Sequence, residues 1–217
     1  MDRRQFSLTA GSALAGAGLG WSTAAQAQSK KPELGVHYLA LGTPAPTEAP
    51  AGKVEVLEFF WYSCGHCNSF EPELAAWLKR MPKNVAFRRV PVAFNASFVP
   101  QQRLYFSLEA LGLVEKLHVK VFDAIHNQKM KLDDGQAITA WVVQNGVDQA
   151  KFLAAYNSFA VETKTKKAVQ LQEAYKVEGV PALGIAGRFY TDAGLAGGMT
   201  RALLVVEMLA AQQKGTT

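Results

Sequence analysis

The chain has 217 residues, 49% apolar and 10% aromatic, with a formal charge of +5. Such a composition excludes global disorder and suits one domain, or one domain with a sizeable insertion. The charge is too mild for a nucleic-acid binder. Its densest basic cluster, Lys164, Lys166 and Lys167, reads as a solvated helix face, and no basic stripe is interleaved with aromatics.

Residues 1–27 read as an export signal. Arg3 and Arg4 open it, Leu8–Gly20 is rich in Ala and Gly, and Ala25-Gln26-Ala27 offers a small-x-small cleavage site, so the mature chain would span residues 28–217. Four glycines make the stretch only mildly apolar, which argues against a retained membrane anchor. Arg3-Arg4-Gln5-Phe6 also fits a twin-arginine signal, and the export route stays open.

Lys30 to Gly52 is loop-like, with Pro44, Pro46 and Pro50 closely spaced and room for a short edge strand near His37-Tyr38-Leu39. Val54–Phe60 is almost continuously apolar and reads as a central strand covered on both faces. A Cys64-Gly65-His66-Cys67 motif follows at once. Phe70, Leu74, Trp77 and Leu78 then repeat at helical spacing to about Arg80, with Pro72 expected to kink the helix. Val85–Phe94 is a second apolar strand, completing a right-handed parallel unit.

From about Gln101 to Tyr175 the pattern is helical, broken at Gly112, Asp133-Asp134-Gly135 and Gly146. A strand pair resumes at Ala182–Ile185 and Arg188–Tyr190 around a turn at Ala186-Gly187, and a helix closes the chain from about Thr200 to Gln213. The class is α/β with a helical insertion.

Only two cysteines are present, and the loop between them is too short for a bridge to restrain the unfolded chain as a structural disulfide would. Placed between an apolar strand and an amphipathic helix, C-x-x-C reads instead as a redox pair. Cys64 at the helix start would meet unpaired N–H groups and the positive end of the helix dipole, which favour thiolate. His66 would add to that, Gly65 would clear the approach to the exposed sulfur, and Cys67, one turn in, would be shielded.

The competing readings are weaker. Covalent haem attachment needs His where Asn68 stands. Zinc would need ligands from His37, His66, His118 and His126, none at a paired spacing, so no metal is expected. A cysteine–histidine hydrolase with His118 or His126 as base remains open. Gly179-Val180-Pro181 precedes a strand; a cis bond there would offer Val180's backbone to an extended peptide, and a plain loop proline is the alternative.

With these features in place the chain resembles the DsbA family of periplasmic disulfide-forming oxidases, from about Val36 to Gln213. The specific segments are Val56-Leu57-Glu58-Phe59-Phe60, Tyr156-Asn157-Ser158-Phe159 and Gly179-Val180-Pro181-Ala182. The resemblance implies a thioredoxin-like fold with an inserted helical domain over about residues 95–165. It implies Cys64 as nucleophile, Cys67 as buried partner, and His66 as the stabiliser of the thiolate. Pro181 would be a cis-proline beside the cysteines, with Val180, Trp61 and Gly65 against substrate. Glu58 would be a buried acid beneath them, paired with Arg89, where the family tends to carry lysine.

The implied activity is donation of the Cys64–Cys67 disulfide to reduced, newly exported proteins in the periplasm, by a monomer. That disulfide is the only redox group expected, and a DsbB-type quinone-linked membrane reductase would restore it. Gly65 departs from the proline of the best-known members and leaves the strength of oxidation open. An isomerase or reductant on the same fold is one alternative. A non-catalytic chaperone with a groove around Phe60, Trp61 and Val180 is another.

Overall fold

The computed structural model describes residues 31–213; the expected export signal lies outside them. Among the described residues, five strands form one sheet in the order β1-β5-β4-β2-β3. They are β1 Leu39–Ala40, β2 Val54–Phe60, β3 Val85–Pro91, β4 Ala182–Ile185 and β5 Phe189–Asp192. Of these, only β2 and β3 run parallel, joined by helix α1, Gly65–Arg80. β4 pairs antiparallel with β2 on its other side. Every residue of β2 is buried, as its near-continuous apolar content predicts for a central strand.

Alternation along β2 divides its side chains between two cores. Val54 and Val56 pack with Phe70, Leu74 and Trp77 of α1 and with helix α8, Met199–Gln212. Leu57 and Phe59 pack into the core that the inserted helices share. Those helices are α2 Val99–Ala110, α3 Val114–His126, α4 Gly135–Gln144, α5 Gln149–Tyr156 and α6 Phe159–Ala174, and a four-residue helix α7, Ala193–Ala196, precedes α8. Turn-forming residues become caps. Asp134 accepts from the amides of Gln136 and Ala137, Asp148 from Lys151, and Ser158 from Val161.

Several boundaries differ from the sequence expectation. The second strand ends at Pro91 rather than Phe94, and β5 occupies 189–192 rather than 188–190. The N-terminal edge strand forms at Leu39–Ala40. Pro72 sits inside α1, which nevertheless continues to Arg80 because Phe70, Leu74 and Trp77 are buried on either side of it. α6 runs unbroken through residue 165. It packs on α2, α5 and β3.

At the Ala186-Gly187 turn both residues have positive φ (57° and 65°), as a two-residue hairpin requires. One glycine inside the sheet is needed for a different reason. A Cβ on Gly184 would meet Tyr175 Cε1 at 2.5 Å and Cζ at 2.8 Å, and that ring is anchored by Gly187 N–H donating to its hydroxyl at 3.0 Å. Gly184→Ala should therefore cost about 1–3 kcal/mol, the usual penalty for overpacking a core. Urea unfolding measures this, and an unchanged midpoint would show that the ring can move aside.

Candidate active site

The strand-to-helix turn Trp61-Tyr62-Ser63 leads from β2 into α1, and the inserted domain holds each of the three. Trp61 stacks on Phe98 with centroids 4.1 Å apart. Tyr62 is held at both ends, its hydroxyl 2.9 Å from His118 Nδ1 and its carbonyl 2.8 Å from His126 Nε2. Ser63 N–H donates to Gln101 Oε1 at 3.2 Å, and Gln101 Nε2 donates to Ser63 Oγ at 2.7 Å.

Cys64 is therefore fixed as the N-cap of α1. Its sulfur accepts the Cys67 amide at 3.3 Å and faces the Val180 carbonyl, also at 3.3 Å. The pair is in the dithiol form, with Cys64 partly exposed and Cys67 fully buried. The Val180–Pro181 bond is cis.

The two thiols are pushed apart in acidity. The hydrogen bond from the Cys67 thiol, aided by the Cys67 and His66 amides and the His66 charge, outweighs burial and brings Cys64 down to about 6. The His66 charge contributes less than the Cys67 thiol and the backbone amides. Burial drives the Cys67 thiol strongly upward, and the charges of Cys64 and Glu58 add to this.

Glu58 is completely buried, and its register partner on β3 is Arg89. Alternation assigns the two arginines to opposite faces: Arg89 Nε lies 3.0 Å from Glu58 Oε2, while Arg88 pairs with Glu55 at 3.2 Å. The Arg89–Glu58 contact is mainly Coulombic: at 3.0 Å the Nε–H is poorly aimed at the carboxylate and adds only a weak hydrogen bond. Burial raises the carboxyl to about 8 against the pull of Arg89, with the Glu71 charge pushing the same way as burial.

Sequence reasoning missed Glu71. Its carboxylate takes Arg89 Nη2 at 3.1 Å and His118 Nε2 at 3.2 Å, and despite burial these partners hold it below the ordinary carboxylate range. A signal was present: Cys67, Glu71 and Leu74 share one stripe of α1. His118 and His126 serve the turn rather than a hydrolase, since the Cys64 sulfur is paired with Val180 and Cys67.

Two further expectations change. Phe60 is fully buried and cannot line a groove. The groove that exists, about 410 Å³, lies between His66, Phe70, Val180, Pro181 and Met199. Gly65 is exposed, and a Cβ there would meet nothing within 4 Å, so the fold does not require glycine at that position.

A model of the DSBA-like thioredoxin domain matches residues 89–201. Similarity to individual proteins extends across the cysteine motif. The thiol:disulfide interchange protein DsbA of Burkholderia cepacia is 40% identical over 188 residues, 87% of this chain and 89% of that protein. DsbA of Bordetella parapertussis is 42% identical over 208 residues, 95% and 96% of the two chains. The crystal structure of Pseudomonas aeruginosa DsbA superposes with a TM-score of 0.79 at 36% identity, over 83% of this chain and 94% of the other.

Thiolate absorbance of the dithiol form should titrate with a midpoint near 6. Cys67→Ala, which removes the thiol donor, should raise that midpoint, while Cys67→Ser should largely keep it. Because the folded value is depressed, the thiolate's contribution to dithiol stability is complete above the unfolded cysteine value of about 8.5. It disappears as pH falls through about 6. Denaturant midpoints across that window that ignore pH would contradict the assignment.

Proposed function

Because the chain belongs to the DsbA family and is a thiol–disulfide oxidoreductase, we propose that it acts as a disulfide donor in which Cys64 is the attacked sulfur and Cys67 the departing one. A client thiolate attacks Cys64 of the oxidised pair and the S–S bond breaks. The electron pair passes to Cys67, which takes up a proton. A second client thiolate then attacks the client sulfur of the mixed disulfide, releasing Cys64 as thiolate and leaving the client oxidised.

The observation that carries this reading is the opposed acidity of the two thiols. A stabilised Cys64 thiolate favours the dithiol product and is a good leaving group in the second exchange, so the pair is poised to give its disulfide away. His66 supports that thiolate from the exposed side. Val180, with its carbonyl toward the sulfur, and Pro181 would receive the client backbone; Trp61 and Gly65 do not line that groove and would meet the client only beyond it. Glu58, whose charge reaches Cys67, would supply and take back that thiol's proton.

The disulfide itself is the redox group. Clients would be reduced, exported proteins in the periplasm, and a DsbB-type quinone-linked membrane reductase would reoxidise the protein, which works as a monomer.

Wild-type protein, oxidised and mixed with a reduced unfolded client, should lose its disulfide stoichiometrically. Cys64→Ser should transfer nothing, and Cys67→Ser should accumulate mixed disulfides once charged. The reduction potential should lie toward the oxidising end, about −120 mV for the strongest member described and about −270 mV for a reductant. A value near the latter would make the protein a reductant. A Cys64→Ser protein that still assists folding as well as wild type would make it a chaperone. Glu58→Gln should slow the steps in which Cys67 departs or attacks while leaving the Cys64 titration in place.

A further inference from the structure

Among the described residues, the buried set beside Cys67 holds two carboxyls, Glu58 and Glu71, but one guanidinium, Arg89, and one imidazole, His118. A single buried cation can balance a single carboxylate, and a second ionised carboxylate in the same apolar space would be uncompensated. Hydrogen bonds decide which of the two keeps its proton. Glu71 receives Arg89 Nη2 on both oxygens, at 3.3 and 3.1 Å, and His118 Nε2 on one, at 3.2 Å. Glu58 has only Arg89 Nε, 3.0 Å from one oxygen and outside good hydrogen-bond geometry.

Burial favours neutral His118 and keeps the Tyr62 phenol protonated. The Glu71 carboxylate can only accept, so the single ring proton sits on Nε2, facing Glu71, and Nδ1 accepts the Tyr62 hydroxyl at 2.9 Å.

We infer that His118 is a positioning residue for the second thiol: by fixing Glu71 as the ionised partner of Arg89, it leaves on Glu58 the proton that Cys67 takes up as it departs. The inference rests on the reading of Glu58 given above. As the Cys64–Cys67 bond breaks, the electron pair stays on Cys67 and the proton moves from the Glu58 carboxyl, by way of water, to that sulfur. Glu58 remains as a carboxylate beside Arg89 Nε until water reprotonates it.

A cleft of about 350 Å³ between α1 and α3, lined by Glu71, Arg89 and His118, gives the set a route to solvent. Lys79 from α1 and Glu115 from α3 line the same cleft. The other titratable groups facing the set are Cys67 on α1, Tyr62 on the turn and Tyr105 on α2, whose phenol burial keeps protonated. Arg88 and Glu55 lie on the opposite face of the sheet.

The test is the pH profile of the first exchange, measured in single turnovers with a small thiol, together with the infrared band of a protonated buried carboxyl. In wild type the band should be present at neutral pH, and Glu58→Gln should delete it. His118→Phe keeps a ring but loses both hydrogen bonds. The proton should then pass to Glu71, which shifts the band, and the alkaline limb of the profile should move to lower pH by about one unit, a tenfold slower exchange on that limb. His118→Gln, which can still donate to Glu71, should restore both, and the Cys64 titration should stay put in Glu58→Gln and Glu71→Gln, which leave the hydrogen bond to Tyr62 in place.

If His118→Phe does not fold, Glu71→Gln should produce the same acid shift by releasing Arg89 to Glu58. A profile and band unmoved in His118→Phe, or in Glu71→Gln where only that variant folds, would overturn the inference. A Glu58→Gln protein with the wild-type profile would overturn the reading of Glu58 first, and this inference with it.

Discussion

The hydrogen bond from the Cys67 amide to the Cys64 sulfur depends on where α1 begins. One residue earlier or later, the sulfur would leave the reach of the first-turn amides, and the acidity difference between the thiols would shrink. The start is fixed from outside the helix. Phe98, His118, His126 and Gln101, all from the inserted helical region, grip three successive residues ahead of Cys64. The insertion is thus part of the candidate active site rather than a cap placed beside it.

The same insertion contributes to the second thiol. Burial makes an unprotonated Cys67 costly, and the polar groups near it form a connected set rather than isolated pairs: Glu58, Arg89, Glu71, His118 and Tyr62. Removing one member of such a set strands another without a partner in an apolar space, and that desolvated group costs more than the hydrogen bond contributed. His118 belongs to both assemblies, touching the turn through Nδ1 and the charged set through Nε2.

Much of this was legible in the sequence because it is local or periodic. Continuous apolarity identified β2 as central, and two-residue alternation limited the partner of Glu58 to one of two arginines on the next strand. The Cys64 motif was readable because strand, cysteine and helix follow one another directly. His118 and Glu71 were not readable in the same way. A charged residue beside a helical proline reads as surface, and what buries Glu71 is α3, which arrives from a separate part of the chain. The Phe60 groove failed for a related reason: periodicity shows that a residue faces a core, but not that a second layer covers it.

The pairing of β2 with β4 carries a consequence for how the protein is made. Glu58 lies opposite Leu183, and Phe59 opposite Ala182, so the whole inserted domain is synthesised between the two strands. As the chain grows from its N-terminus, β2 can pair at once with β3, but its other edge waits for β4. Such distant pairings close slowly because the entropy of a long loop is surrendered before the contacts form. Until then an apolar strand edge and the two thiols beside it stay open. An unfinished chain therefore exposes its cysteines before the surroundings that set their acidity exist. The acidity difference between the thiols is thus among the last properties the growing chain acquires.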